Sequence, residues 1–215
     1  IEIDFIVEFT PVSDPAILTS VSPSSLETIS KTNFRYTFAL NENNPIPVRL
    51  DFEEADGQVI TDIDFYGGSN FLDNEHFALA VTGLNSEEAF VEISFSGDMP
   101  DYEHPYDADK DNNYSISLEV TESSNKSLYL YLDFNITDVD DAAQFATNTV
   151  FSQSVSENQT NVTELSGYDQ DGADSFYWNI VPTDDYQFFE LDINNSTSSP
   201  TCNLSFKSAP DYENP

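Results

Sequence analysis

The chain has 215 residues, enough for one large domain or two of ordinary size, and carries 40 Asp and Glu against 6 Lys and Arg, a formal net charge of −34. Nucleic acid and anionic membrane surfaces both require a basic footprint, so both are excluded as partners. A hydrophobic fraction of 39%, with 17 Phe and 11 Tyr, is too apolar for a disordered acidic tail, and its aromatic and β-branched bias favours strands over helices.

In chain order, Ile1-Glu-Ile-Asp-Phe-Ile-Val7 reads as mid-strand. The chain is therefore expected to be cut from a longer polypeptide, with residues 1–16 the last strand and linker of a preceding repeat. Residues 17–33, around Ser22-Pro-Ser-Ser25, read as an insertion, either a loop or an irregular N-terminal strand. Two turn blocks follow, Ala39-Leu-Asn-Glu-Asn-Asn44 and Glu53-Glu-Ala-Asp-Gly57. A strand at Val91–Ser96 then leads into Met99-Pro-Asp-Tyr-Glu-His-Pro105. The alternating acids of Asp107-Ala-Asp-Lys-Asp111 resemble a calcium loop but lack the Gly and the distal Glu of an EF-hand; a local ion and a plain charged turn both remain open. Ile116, Leu118 and Val120 alternate with polar residues, as do Leu128, Leu130, Leu132, Phe134 and Ile136. A period of two with one apolar face predicts half-buried antiparallel strands.

The blocks then return in the same order. Ile136-Thr-Asp-Val-Asp-Asp-Ala-Ala143 matches Phe9-Thr-Pro-Val-Ser-Asp-Pro-Ala16, and Ser154-Val-Ser-Glu-Asn-Gln159 matches the 39–44 block. Tyr168-Asp-Gln-Asp-Gly172 matches 53–57. Asn203-Leu-Ser-Phe-Lys-Ser208 with Ala209-Pro-Asp-Tyr-Glu-Asn-Pro215 matches 91–105. Offsets of 110 to 127 residues are too long for a solenoid turn and suit one β-sandwich per repeat. The chain thus parses into 1–16, a complete repeat at 17–141, and a second repeat at 142–215 that lacks its last strands. A sandwich without those strands exposes an unpaired edge. Ile3–Phe9, the same element as the missing last strand, makes a neighbouring copy a candidate donor.

Four motifs carry a family resemblance: Asn41-Glu-Asn43, Asp101-Tyr-Glu103, Thr137-Asp-Val-Asp-Asp-Ala-Ala143 and Asp169-Gln-Asp171. Their order and spacing are similar to the calcium motifs of cadherin repeats. The stretch from Pro100 to Asn112 looks especially like the cadherin-like repeats of large bacterial and marine adhesins. The resemblance implies tandem all-β, Greek-key (immunoglobulin-like or cadherin-like) sandwiches with Ca2+ bound at their junctions. It implies Glu42, Asp101 and Glu103 as ligands from one repeat, Asp138, Asp140 and Asp141 from the linker, and Asp169 and Asp171 from the next. The residues agree with that chemistry, since calcium takes six to eight oxygens and carboxylates are its preferred protein ligands. The first junction is poorer in acids, with Pro11 and Ser13 in its linker and Glu54 and Asp56 as its lower pair. Glu157, Asp211 and Glu213 belong to a third.

Catalytic readings are weak. His76 and His104 sit in unrelated loops without a second ligand at zinc spacing, and Cys202, the only cysteine, is expected to be buried. No enzyme is expected. Aromatic side chains stack on sugar rings, so Tyr177 and Trp178 raise a carbohydrate-binding alternative, although alternation places them on opposite faces and makes one a core residue. Asn135, Asn158, Asn161, Asn194, Asn195 and Asn203 head glycosylation sequons. No run approaches 18 consecutive apolar residues, and no basic segment precedes an apolar one, so neither membrane insertion of this segment nor a signal peptide is expected. The expected function is a calcium-rigidified structural or adhesion segment of a large protein at the extracellular cell surface. Its expected partners are calcium ions, neighbouring repeats of the same or an identical chain, glycans and other cell-surface proteins. An extracellular filament subunit that exchanges strands between copies is a second reading, and a carbohydrate-binding module is a third.

Overall fold

In the computed structural model, residues 14–22, 28–32, 34–67, 72–146, 152–172, 176–194 and 200–214 are described. The strand expected at Ile3–Phe9, most of the first linker and Pro23–Ser25 lie outside them. The described residues divide into two compact units, Ile1–Val139 and Asp140–Pro215. Among them no helix is long and apolar enough to cross a membrane.

The first unit contains β1 (Ile17–Ser22), β2 (Thr28–Thr32), β3 (Arg35–Asn41), β4 (Val48–Glu53), β5 (Ile60–Phe65), β6 (Phe77–Thr82), β7 (Glu88–Phe95), β8 (Asn113–Glu122) and β9 (Ser127–Thr137). A 3-10 turn at Leu72–His76 precedes β6. One sheet has the order β1-β4-β7-β6 and the other β2-β3-β9-β8-β5. All pairings are antiparallel except β3 with β9, where Phe38 lies beside Phe134 and Leu40 beside Ile136. A parallel pair needs a long crossover, here most of the unit. The strand alternation fills the space between the sheets: Leu128, Leu130, Leu132, Phe134 and Ile136 are all buried, as are Leu50, Phe52, Val91 and Ile93 of the facing sheet. Phe134 lies 5.6 Å from Phe38 and 5.1 Å from Phe77 between ring centroids, so β9 links both layers. Such rings each bury a large apolar surface and dominate core energetics.

Of the two readings of the 17–33 segment, the irregular strand holds for its described residues, with register shifts between Leu18 and Ser20 and between Thr28 and Ser30. The segment contributes β1 to one sheet, paired with β4, and β2 to the other, paired with β3. The chain changes sheets between them, a step that backbone pairing decides and side-chain periodicity does not encode.

The second unit contains β10 (Gln144–Phe145), β11 (Asn161–Tyr168), β12 (Phe189–Asn194) and β13 (Thr201–Phe206). They form one antiparallel sheet in the order β10-β11-β13-β12. Cys202, on β13, is buried as expected, and burial pushes its thiol pKa up.

Candidate metal centre

Glu42 follows directly on β3 and is 1% exposed. Its Oε1 accepts the Val139 N–H at 2.8 Å and its Oε2 the Tyr102 N–H at 2.7 Å, while its own N–H donates to the Thr137 carbonyl at 3.2 Å. One carboxylate thus fastens the end of β3 to the 100–103 turn and to the segment leaving β9. The turn closes at Asn43, whose φ of 58° is left-handed, a conformation that Asn tolerates better than most residues, and whose N–H donates to the Pro100 carbonyl at 3.0 Å.

Within this unit, carboxylate oxygens of Glu42, Glu103 and Asp138 lie within 4.8 Å of one another. Two oxygens bound to one calcium at 2.3–2.6 Å sit no more than about 5 Å apart, so the three fit a common calcium ion. Magnesium, at 2.0–2.1 Å, demands a tighter set. Three converging carboxylates repel each other, and a cation is the charge that relieves them.

Asp101 caps its own turn, with Oδ1 accepting the His104 N–H at 3.0 Å and the His104 ring 3.4 Å away. Asp140, Asp141, Asp169 and Asp171 belong to the second unit. There the Asp141 N–H donates to Asp171 Oδ2, and the Asp171 N–H to Asp169 Oδ1 at 3.2 Å. Asp140 is exposed.

The second unit repeats the Glu42 geometry. Glu157 Oε2 accepts the Tyr212 N–H at 2.9 Å, the Asn158 N–H donates to the Pro210 carbonyl at 2.9 Å, and Asn158 has a φ of 63°. Glu157, Asp211 and Glu213 converge within 4.8 Å.

Sequence reasoning missed one carboxylate. Glu122, at the end of β8, is 1% exposed, and both of its oxygens are buried without a hydrogen-bond partner among the described residues. It pairs in register with Ile60. Its neighbour Ser123 donates to the Gln58 side chain at 2.9 Å, and Gln58 N–H donates to Glu54 Oε2 at 2.7 Å. Glu122 therefore lies at the same end of the unit as Glu54 and Asp56, the expected lower pair of the first junction. Asp56 in turn accepts the Asp14 N–H at 2.7 Å. A buried, unpaired carboxylate is costly, and a cation compensates it. The one sequence signal was an acid at the alternation phase of Leu118 and Val120, where an apolar residue belongs.

The 107–111 cluster forms a hydrogen-bonded turn in which carboxylate oxygens of Asp107, Asp109 and Asp111 also lie within 4.8 Å of one another. Buried Asp107 accepts the Asp111 N–H at 2.8 Å and the Asn112 N–H at 3.3 Å. The Asp111 charge beside it, with partial burial and Asp107, holds the Asp109 carboxyl above the usual carboxylate range.

No protein-family model matches the sequence, and no curated protein matches it. Solved structures similar to it include a PcdhgB3 fragment of domains EC1–4, 17% identical, with 93% of this chain and 42% of that one covered and a TM-score of 0.41. Extracellular cadherin domains 3–6 of protocadherin gamma B2 are 16% identical, with 85% and 39% covered and a TM-score of 0.40. Domains EC1–3 of protocadherin gamma C5 are 15% identical, with 85% and 58% covered and a TM-score of 0.40. The chain spans about two fifths to three fifths of the length of these structures. The narrower likeness to bacterial and marine adhesin repeats is not supported by them. The all-β sandwich assignment rests on the strand order and register of this chain.

Proposed function

We propose that the chain is a segment of an extracellular cell-surface protein in which calcium stiffens successive β-sandwich repeats, the array serving a structural or adhesive role. The observation that carries this reading is the convergence of buried Glu42 with Glu103 and Asp138 at calcium-compatible spacing. The proposed ligand set is Glu42, Asp101 and Glu103, then Asp138, Asp140 and Asp141, then Asp169 and Asp171. The repeats are proposed to run 17–141 and 142–215, after the last strand and linker of a preceding repeat at 1–16. Calcium supplies charge neutralisation, so that acids which otherwise repel one another become a rigid joint. The Glu122 carboxylate, without a hydrogen-bond partner among the described residues and beside the Glu54–Asp56 loop, supports a second cation position at the opposite end of the first unit. The net charge of −34 supplies a field that attracts divalent cations to both.

Thermal unfolding of the full chain in calcium and in EDTA tests this reading. Calcium at about a hundred times its Kd adds about 2.7 kcal/mol of stability, a rise of roughly 5–10 °C in Tm for a chain of this size. Glu103→Gln removes most of that rise while leaving the EDTA value nearly unchanged. An identical Tm in calcium and EDTA overturns the proposal. Sedimentation in the same buffers separates the array from a strand-exchanging filament. A mass that grows with concentration selects the filament.

A further inference from the structure

Three of the four edge strands of the first unit carry a feature that discourages pairing with another chain, and one does not. The edges are β1 and β6 in one sheet and β2 and β5 in the other. β1, β2 and β5 each slip register against their inner neighbour, between Leu18 and Ser20, Thr28 and Ser30, and Ile60 and Asp62. β5 also carries Asp62 and Asp64. Bulges and charges both blunt an edge. β6 has neither: it is uncharged and keeps unbroken register along β7, from Phe77 opposite Phe95 to Thr82 opposite Phe90. Its counterpart in the second unit, β12, carries Glu190 and Asp192. The His76 carbonyl accepts the Ser96 N–H at 2.8 Å, one step beyond that register. Bonded and non-bonded pairs alternate along an antiparallel ladder, so Ala78, Ala80 and Thr82 bond β7. Phe77, Leu79 and Val81 then turn their N–H and C=O groups to the open side, where no strand lies among the described residues. Leu79 and Val81 pack against the core yet are only half-buried, which leaves an apolar flank for a further strand to cover.

We propose that β6 is a docking edge for an extended basic segment of a partner protein, which adds a strand with apolar residues on its inner face and Lys or Arg on its outer face. The outer face of the sheet selects that charge. Its strands carry Asp51, Glu53, Glu88 and Glu92 against one base, Arg49, which lies over the Phe90 ring and hydrogen-bonds Asp51. Glu53 and Glu88 stand directly opposite each other, a like-charge pair that a neighbouring cation relieves. Glu92 is exposed and stands opposite Ala80, whose methyl group leaves a long basic side chain free to reach across from the next strand. Main-chain bonds to Phe77, Leu79 and Val81 supply affinity, and the alternating side chains supply specificity. A second copy of this chain offers the same uncharged strand but brings the same acidic face and a net charge of −34, so like charges would meet. None of these residues belongs to the proposed calcium ligand set, so the docking edge goes beyond that reading.

Fluorescence anisotropy tests the proposal with the full chain and a labelled seven-residue peptide of alternating lysine and valine. EDTA is present, so that no calcium competes for the acidic face, and physiological ionic strength screens general attraction beyond about 8 Å. A control peptide with proline in place of the central valine keeps the charge and loses a main-chain donor aimed at β6. The alternating peptide should bind saturably, and the proline peptide about tenfold more weakly, the equivalent of roughly 1.4 kcal/mol. Ala80→Lys, at an exposed position, should weaken the alternating peptide about tenfold and leave the thermal midpoint in place. Asp62→Lys, which adds a base to the β5 edge, should leave binding unchanged. Absence of binding, equal binding of the two peptides, or equal effects of the two lysine variants would overturn the proposal, the last two by reducing it to general charge attraction. Sedimentation of the chain alone supplies a further check: a dimer that Ala80→Lys dissolves would give the edge to a second copy and overturn it as well.

Discussion

In the first unit the sheet β1-β4-β7-β6 faces a second sheet of five strands, and its inward residues are buried. In the second unit β10-β11-β13-β12 repeats that strand order, first, second, fourth, third, and no second sheet accompanies it among the described residues. The consequence is visible at matched positions. Leu50 and Val91 pair and are buried; their counterparts Leu165 and Cys202 also pair, but only Cys202 is buried. The same backbone ladder thus forms in both units, and Leu50 has under the facing five-stranded sheet a burial that Leu165 lacks among the described residues. Hydrogen bonds define the sheet, and the opposite layer supplies most of its hydrophobic stabilisation.

The largest test of this contrast is truncation in the two cores. Leu130→Ala removes a fully buried side chain between the sheets of the first unit and should cost about 2–5 kcal/mol. Leu165→Ala, at a half-buried site, should cost well under half of that. Denaturant titration followed by far-UV circular dichroism and by Trp178 emission separates the two, since Trp178 lies in the second unit. Leu130→Ala should lower the midpoint seen by dichroism and leave the Trp178 midpoint in place. Equal shifts in both signals would show that the units unfold as one.

A smaller effect is expected where the first unit secures its parallel pairing. Arg35 on β3 donates two hydrogen bonds of 2.6 Å to Asp133 on β9, and Ser115 on β8 donates a third at 2.8 Å. Asp133 is buried while Arg35 is half exposed. Arg35→Ala leaves that carboxylate short of partners and should cost about 1–3 kcal/mol, read as a lowered midpoint in the dichroism signal alone. A change below a few tenths of a kcal/mol would mean that water replaces the guanidinium freely.

The smallest effect is a pH response. The Arg49 guanidinium hydrogen-bonds Asp51 and, with Ser20, holds its carboxyl below the ordinary carboxylate range. A carboxyl depressed in the folded state contributes stability that is complete above its unfolded pKa, about 3.9, and is lost as pH falls through the lower folded value. Both groups remain partly exposed to screening solvent, so the contribution is slight. NMR titration should show the Asp51 pKa returning toward the ordinary value in Arg49→Ala; an unchanged titration would assign the depression to Ser20.

The acid motifs were legible in sequence because they are local. Glu42 and Glu157 each precede an Asn in the left-handed region and each bond the backbone of an Asp-Tyr-Glu turn, so a repeated motif produced a repeated geometry. Asp101 entered the expected ligand set through the family resemblance, and its Oδ1 accepts the His104 N–H of its own turn. Glu122 left only a faint signal, its place on the inward phase of β8, because a solvated acid at a strand end and a buried one read alike until the β5 loop packs beside it.

By itself the sequence determined the all-β character, the repetition of the motifs and the inward face of β8 and β9, because alternation and turn chemistry act over a few residues. Only the tertiary structure decided that 17–32 supplies strands to both sheets, that β3 and β9 run parallel, and that Glu42, Glu103 and Asp138 converge. Apart from the local β2–β3 pairing, those features depend on residues about 30 to 100 positions apart meeting in space, and no local pattern records such a meeting.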